Sequence, residues 1–357
     1  MFDRRWSQLA DILVNYSVRT RPGDRMLIAM TEPETFPLTL AVYEQAVRAG
    51  AFPQVQFTAA ALERALLLHG SDELVAREPD LERAGLLWAD TYVGLRGASD
   101  PHALAGIAPE RLTAHRRASG IVSALRNAQT RWVLVRVPHA SFAQQAGMSL
   151  DAMMGFFFAA TLRDWETEGR RYASIREVFQ AAESVRIAGR DTDLSFSTVG
   201  RTYIVGDGHI NMPDGEIYTA PVENSARGVI SFEWPATYAG QSLTGIRLEF
   251  RDGQVIDATA TTGETFLHQI LAMDEGARRI GEFGVGINFS IGRFTGDILF
   301  DEKIGGTIHL GLGRAYQECG GKNDSALHWD LVKDLRAEGI IALDGKTVFA
   351  NGRFLIG

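Results

Sequence analysis

The order of apolar and polar positions changes character about halfway along the chain. Up to about residue 183, short apolar runs alternate with longer segments of helical period. DRMLIAM at 24–30, PQVQF at 53–57 and RWVLVRVP at 131–138 have the length and composition of buried strands, and GLLWAD and TYVGL add strand character near 85–95. Between them PLTLAVYEQAVRAG reads as a helix stopping at Gly50, further helical patterns fill 58–82 and 109–127, and helices occupy 150–183. Strands alternating with helices predict a parallel, doubly wound sheet. From Ser184 onward the runs become short and alternating, broken by Gly, Asp and Asn (TDLSFSTVG, GEIYTAP, GIRLEFRDG, QVIDATATTG), which predicts antiparallel β structure. Arg251-Asp252-Gly253-Gln254 reads as a hairpin turn with glycine where a positive φ is wanted. One helix, about 264–280, interrupts the strands. The expected fold class is α/β: an N-terminal doubly wound parallel-sheet domain, 1–185, then a mainly antiparallel β-rich α+β domain, 186–357, carrying the chemistry.

Composition narrows the function classes. The 357 residues exceed the length at which one core usually stays single, which agrees with two domains. A net charge of -8 argues against non-specific nucleic-acid binding. The N-terminal stretch MFDRRWSQLADILVNYSV is amphipathic and is not a signal peptide, and the longest apolar run, LDAMMGFFFAA, is about half the roughly 20 residues a membrane span needs. A cytoplasmic location is therefore expected. The loop after Met30 is Thr-Glu-Pro-Glu, whose carboxylates would repel a pyrophosphate, so the α/β half carries no nucleotide fingerprint. Cys319 is the sole cysteine; it cannot form an internal disulfide, and with no positively charged histidine partner evident it ranks as an incidental thiol.

Candidate chemistry concentrates at 294–336. In TIHLGLG, Thr307, His309 and Gly311 alternate with Ile308, Leu310 and Leu312, the pattern of a half-buried strand with His309 on its less apolar face. Further on, His328 and Asp330 flank Trp329, so on an extended strand they share one face. Gly305, Gly306, Gly311 and Gly313 leave room for backbone, metal or substrate. Either histidine alone would be an ordinary core residue; both together, with an aspartate two positions away, point toward a metal site. Two glutamates stand out upstream: Glu216 in GEIYTAP, facing the same way as Tyr218, and Glu282, placed after Ile280-Gly281 at the end of the 264–280 helix. A lone glutamate is normally a solvated surface charge, and Tyr316 reads equally well as a core aromatic or a catalytic hydroxyl.

Taken in order, GEIYTAP, DEGARRIGEFGVGIN, FTGDILFDEKIGGTIHLGLGRAY and GGKNDSALHWD resemble the M29 family of metal-dependent aminopeptidases, the aminopeptidase T, aminopeptidase II and PepS group. The resemblance covers the C-terminal half and extends to the N-terminal half only in layout. It implies metal ligands Glu216, Glu282, His309, His328 and Asp330, catalytic roles for Glu216 and Glu282 beside Tyr316, two divalent ions (Zn, Co or Mn), a peptide substrate with a free N-terminus, and a homodimer. Three carboxylates and one bridging hydroxide balance the charge of two divalent ions, whereas a single ion leaves a buried negative excess. Asp330 is the candidate bridge, and Asp301 or Glu302 could receive the substrate amine. His309, His328 and Asp330 alone would equally suit a mononuclear Fe(II) ring-cleaving dioxygenase of the dihydroxypyridine type. A non-catalytic peptide-binding protein is the third reading.

Overall fold

The computed structural model describes residues 3–98, 100 and 103–355. Two compact units make up the chain: residues 1–163 with Gly208–Pro213, and Asp164–Asp207 with Asp214–Gly357. The first unit is built on a five-stranded, wholly parallel sheet. Its order is Phe52–Thr58, Arg25–Thr31, Thr91–Arg96, Arg131–Arg136 and Asn211–Met212. Central strands of a parallel sheet are covered on both faces, and Ile28, Val93 and Val133 on one face and Leu27 and Leu134 on the other are accordingly buried. GLLWAD departs from the strand expectation: Asp80–Trp88 is a helix and the strand begins at Thr91. Leu86 and Ala89 pack with Leu27 and Val122, so a short apolar run that could suit either element is here the buried side of a helix. LDAMMGFFFAA forms Leu150–Thr161, capped by Ser149, whose hydroxyl accepts from Ala152 N; Phe157 and Phe158 pack on Trp6.

The second unit contains an eight-stranded antiparallel sheet ordered Gln254–Thr259, Ile246–Arg251, Arg227–Phe232, Thr192–Ser197, Ser184–Gly189, Ile340–Leu343, Lys346–Ala350 and Arg353–Phe354. The Arg251–Gln254 turn forms as expected, with Asp252 and Gly253 both at positive φ. A five-stranded antiparallel sheet follows the order His328–Asp334, Thr307–Gly313, Ile280–Gly286, Glu216–Thr219 and Ile204–Gly206. The ring of Phe283 in this sheet meets Phe196 of the larger one, centroids 5.0 Å apart. One face of the smaller sheet, with Ile217, Phe283, Val285, Ile308, Leu310 and Leu312, is thereby apolar and buried.

Two local expectations change here. The 264–280 helix ends at Leu271, and after a 3-10 turn, Glu275–Arg278, the chain enters a strand at Ile280. Glu282 is thus a strand residue, because Gly281, Gly284 and Gly286 do not sustain a helix and fit close strand packing. Thr307–Gly313 is buried along its whole length rather than half-buried, and it lies second from the edge of its sheet.

Candidate metal centre

Strand register assembles the site. The five expected ligands stand on the face of the smaller sheet opposite its apolar side, and each is paired with a glycine. Glu282 and Asp330 flank Gly311 on either side, His309 faces Gly284, His328 faces Gly313, and Glu216 lies between Gly286 and Gly206. A bulge between Ile280 and Glu282 brings Glu282 into register with Gly311. The glycines are a spatial requirement. A methyl group at Gly284 would stand 2.0 Å from His309 Cε1, and one at Gly311 would stand 2.8 Å from Asp330 Oδ1 and 2.9 Å from Glu282 Cβ. Gly305 and Gly306, by contrast, make room for Phe289 and Arg336.

The loops feeding these strands are tied down within the same unit. Asp274 accepts from Ala277 N in its own turn and from Ser325 Oγ and Ala326 N just before the His328 strand. Asn323 Nδ2 donates to the Gly276 and Gly313 carbonyls. These bonds hold the entry to the His328 strand against the end of the His309 strand.

Glu282 lies at the middle of the cluster. Its Oε1 is 3.2 Å from His309 Nε2 and its Oε2 3.3 Å from His328 Nε2. Glu216 Oε2 is 3.6 Å from His309 Nε2, and Asp330 Oδ2 is 3.6 Å from His328 Nε2. His328 Nδ1 donates to the Arg314 carbonyl at 2.9 Å, which fixes its tautomer and leaves Nε2 facing the carboxylates. The Tyr316 hydroxyl is 3.4 Å from that Nε2, its ring 37% exposed and packed edge-on against Tyr218.

Charge distribution follows from this crowding. Burial pushes the Glu282 carboxyl upward, but the hydrogen bonds and charge of His309 and His328 outweigh it and hold it at about 2. Burial pushes both imidazoles down, and the Glu282 bonds with the surrounding carboxylates reverse this, raising His328 to about 9 and His309 also upward. Burial, then the like charge of Glu282, raises Asp330; burial raises Glu216 against the pull of Lys303. Burial and the neighbouring carboxylates push the Tyr316 phenol up, so it keeps its proton as a donor.

The donor set fits divalent ions. Ligand-capable atoms of Glu282, His309 and Asp330 lie within 4.8 Å of one another, as do those of Glu216, Glu302 and His309. Glu216 Oε2, His309 Nδ1 and Asp330 Oδ1 are buried without a hydrogen-bond partner, a costly condition that coordination of the two carboxylates would relieve. All donors are N or O, suited to zinc, cobalt or manganese. Glu302 joins this set although sequence reasoning gave it no ligand role; the signal was its place in FDEK, just ahead of the His309 strand. Its neighbour Asp301 turns away, accepting from Thr295 N, Thr295 Oγ1 and Gly296 N.

Comparisons with known proteins bear on the chain as a whole. The family model described as thermophilic metalloprotease (M29) matches residues 2–354. Aminopeptidase PepS of Streptococcus thermophilus is 25% identical, with 99% of each chain covered. Among solved structures, wild-type AmpT from Thermus thermophilus superposes with a TM-score of 0.88 at 24% identity, covering 100% of both chains. The 2,5-dihydroxypyridine dioxygenase of Pseudomonas putida KT2440 gives a TM-score of 0.65 at 17% identity, covering 99% of this chain and 97% of that one. The two structural likenesses establish the α/β architecture.

Proposed function

The chain belongs to the M29 family of metalloproteases, and from that premise we propose that it is an aminopeptidase removing N-terminal residues from peptides at a site for two divalent ions. The observation that carries the reading is the meeting of Glu216, Glu282, Glu302, Asp330, His309 and His328 over a face kept open by glycines. Glu282, with one oxygen toward each imidazole, stands centrally among the residues that would hold the ions, with Asp330 beside His328. Bound there, the ions would supply Lewis acidity at the scissile carbonyl and a water ionised near pH 7.

The chain's own residues do the rest. His328, held by the Arg314 carbonyl, presents Nε2 without needing to reorient. Tyr316 keeps its phenolic proton and donates to the oxyanion developing on the carbonyl, a contribution on the order of 3 kcal/mol. The substrate amine finds its counter-charge among the cluster carboxylates. A homodimer and a cytoplasmic location belong to the same proposal; among the described residues no helix is long and apolar enough to cross a membrane.

The test is turnover of free-amine and N-acetylated aminoacyl anilides by chelator-treated protein, before and after addition of Zn, Co or Mn. Cleavage of the free-amine series alone, dependent on added ion and accompanied by two ions per chain on elemental analysis, is the expected result. One oxygen-sensitive iron with ring cleavage of a dihydroxypyridine would replace it with the oxygenase reading. Absence of any metal-dependent cleavage would leave a binding protein. Sedimentation velocity reads the dimer separately.

A further inference from the structure

Tyr316 is the most exposed of the residues assigned to the site. Its ring is 37% exposed and meets Tyr218 by an edge, and its hydroxyl lies 3.4 Å from His328 Nε2, so the aim of that hydroxyl depends on the main chain that carries it. That main chain is a tight turn. Cys319 N and Gly321 N both donate to the Tyr316 carbonyl, at 3.2 and 3.1 Å, and Gly320 sits at a φ of 81°, where glycine is favoured. A methyl group at Gly321 would stand 2.5 Å from Ala315 Cβ and 2.8 Å from Ala220 Cβ, so the turn lies close against the residue that follows the Glu216 strand.

The turn is tied from outside as well. Thr202 N donates to the Cys319 carbonyl at 3.1 Å, and Lys322 N donates to Glu223 Oε1 at 2.7 Å. Glu223 Oε2 accepts from Arg201 Nη2 at 2.6 Å, and the Arg201 side chain is only 6% exposed. Burial pushes the Glu223 carboxyl up, but backbone N–H groups and the Arg201 charge outweigh it and hold the carboxyl below its ordinary value. Both bonds are therefore charge-assisted, roughly twice as strong as neutral ones. The Glu223 carbonyl accepts from Arg279 Nη1 at 2.9 Å, just ahead of the Glu282 strand. Because that bond belongs to the main chain, truncating the Glu223 side chain releases the Tyr316 turn and leaves the Glu282 strand tied.

We propose that Glu223, braced by Arg201, is a positioning residue for Tyr316: it holds the far end of the turn, so that the phenol stays aimed at the substrate carbonyl. It touches neither substrate nor ion. The inference rests on the role of Tyr316 proposed above. Its signature is dependence on Tyr316, since a brace that works through one hydroxyl does nothing for turnover once that hydroxyl is gone.

The experiment is a double-mutant cycle on the full-length protein, reading kcat and KM for a free-amine aminoacyl anilide, bound metal by elemental analysis, and hydrogen exchange across 314–323 in the metal-free state. Glu223→Ala alone should lower kcat at least about tenfold, move KM less than about twofold and leave bound metal at the wild-type level. Exchange across 314–323 should quicken at least about tenfold in the same variant. In the Tyr316→Phe protein, adding Glu223→Ala should change kcat less than about twofold. Unchanged kcat or unchanged exchange in Glu223→Ala, an equal loss of kcat in both backgrounds, or a loss of bound metal would overturn the proposal. If Glu223→Ala does not fold, the near-isosteric Glu223→Gln, which gives up the ion pair with Arg201, takes its place in the cycle. A loss of kcat of at least about threefold confined to the background that keeps Tyr316 supports the brace, and an equal loss in both backgrounds or none overturns it. A wild type that cleaves no anilide, or a Tyr316→Phe protein with wild-type kcat, would remove the underlying functional reading itself, a failure visible without any Glu223 variant.

Discussion

The two five-stranded sheets of this molecule solve burial in opposite ways. In the parallel sheet of the first unit, buried positions such as Ile28, Val93 and Val133 on one face and Leu27 and Leu134 on the other are apolar. In the antiparallel sheet of the second unit, strands buried just as completely divide by face, apolar toward Phe196 and ionisable on the other side. Burial therefore does not predict polarity. Ionisable side chains stacked at such density are unfavourable for folding alone and are retained for what they bind.

The strongest way to break the comparison is to remove the central carboxylate. Glu282→Gln should lower kcat/KM at least about a thousandfold and strip bound metal, measured by anilide hydrolysis and elemental analysis. Thr91→Val, at a buried polar position of the parallel sheet, should leave both within about twofold. Next come the glycines. Gly284→Ala drives a methyl into the His309 ring and should weaken metal binding roughly 10- to 100-fold. Gly94→Ala in the parallel sheet meets the side chains of Leu134 and Tyr92, so it should cost about 1–3 kcal/mol in urea unfolding while leaving metal affinity intact. Tyr316→Phe should reduce kcat by about a hundredfold with little change in KM, because it removes a donor used in the transition state.

An effect confined to a narrow pH window lies in the first unit, where an ionisable group is buried neutral. His139 caps the helix Ala140–Gln145, its Nδ1 accepting from Phe142 N, and burial followed by the charge of Arg136 lowers its pKa to about 4. An unfolded histidine titrates near 6.5. Between those values the unfolded chain binds the extra proton, so this contribution is complete above pH 6.5 and is lost as pH falls toward 4. It amounts to at most roughly 3 kcal/mol. His139→Asn, which can still cap, should flatten the pH dependence of unfolding over that window.

Much of this was legible in the order of residues. Alternation placed His309, and the pair His328 and Asp330, on shared strand faces, and strand–helix alternation gave the parallel sheet. Glu282 was misplaced onto a helix end because GARRIGEFGVG follows a helical period directly, and only pairing with Thr307–Gly313 converts it into a strand. The half-buried reading of TIHLGLG failed for a related reason: alternation reports which residues share a face, not whether a second layer covers that face. Lys303 went unread and Glu302 was read only as a possible receiver of the substrate amine, because both reach the cluster from the turn after a short helix, Ile298–Asp301, where no periodicity fixes direction.

The glycine opposite each ligand has a consequence for anyone wishing to redesign the enzyme. The floor of the cavity is framed by main chain, which offers no side chain to trim or enlarge, so altered selectivity has to come from the connecting loops. A library that leaves these strands untouched and diversifies the segments between them keeps the catalytic bed while changing its walls.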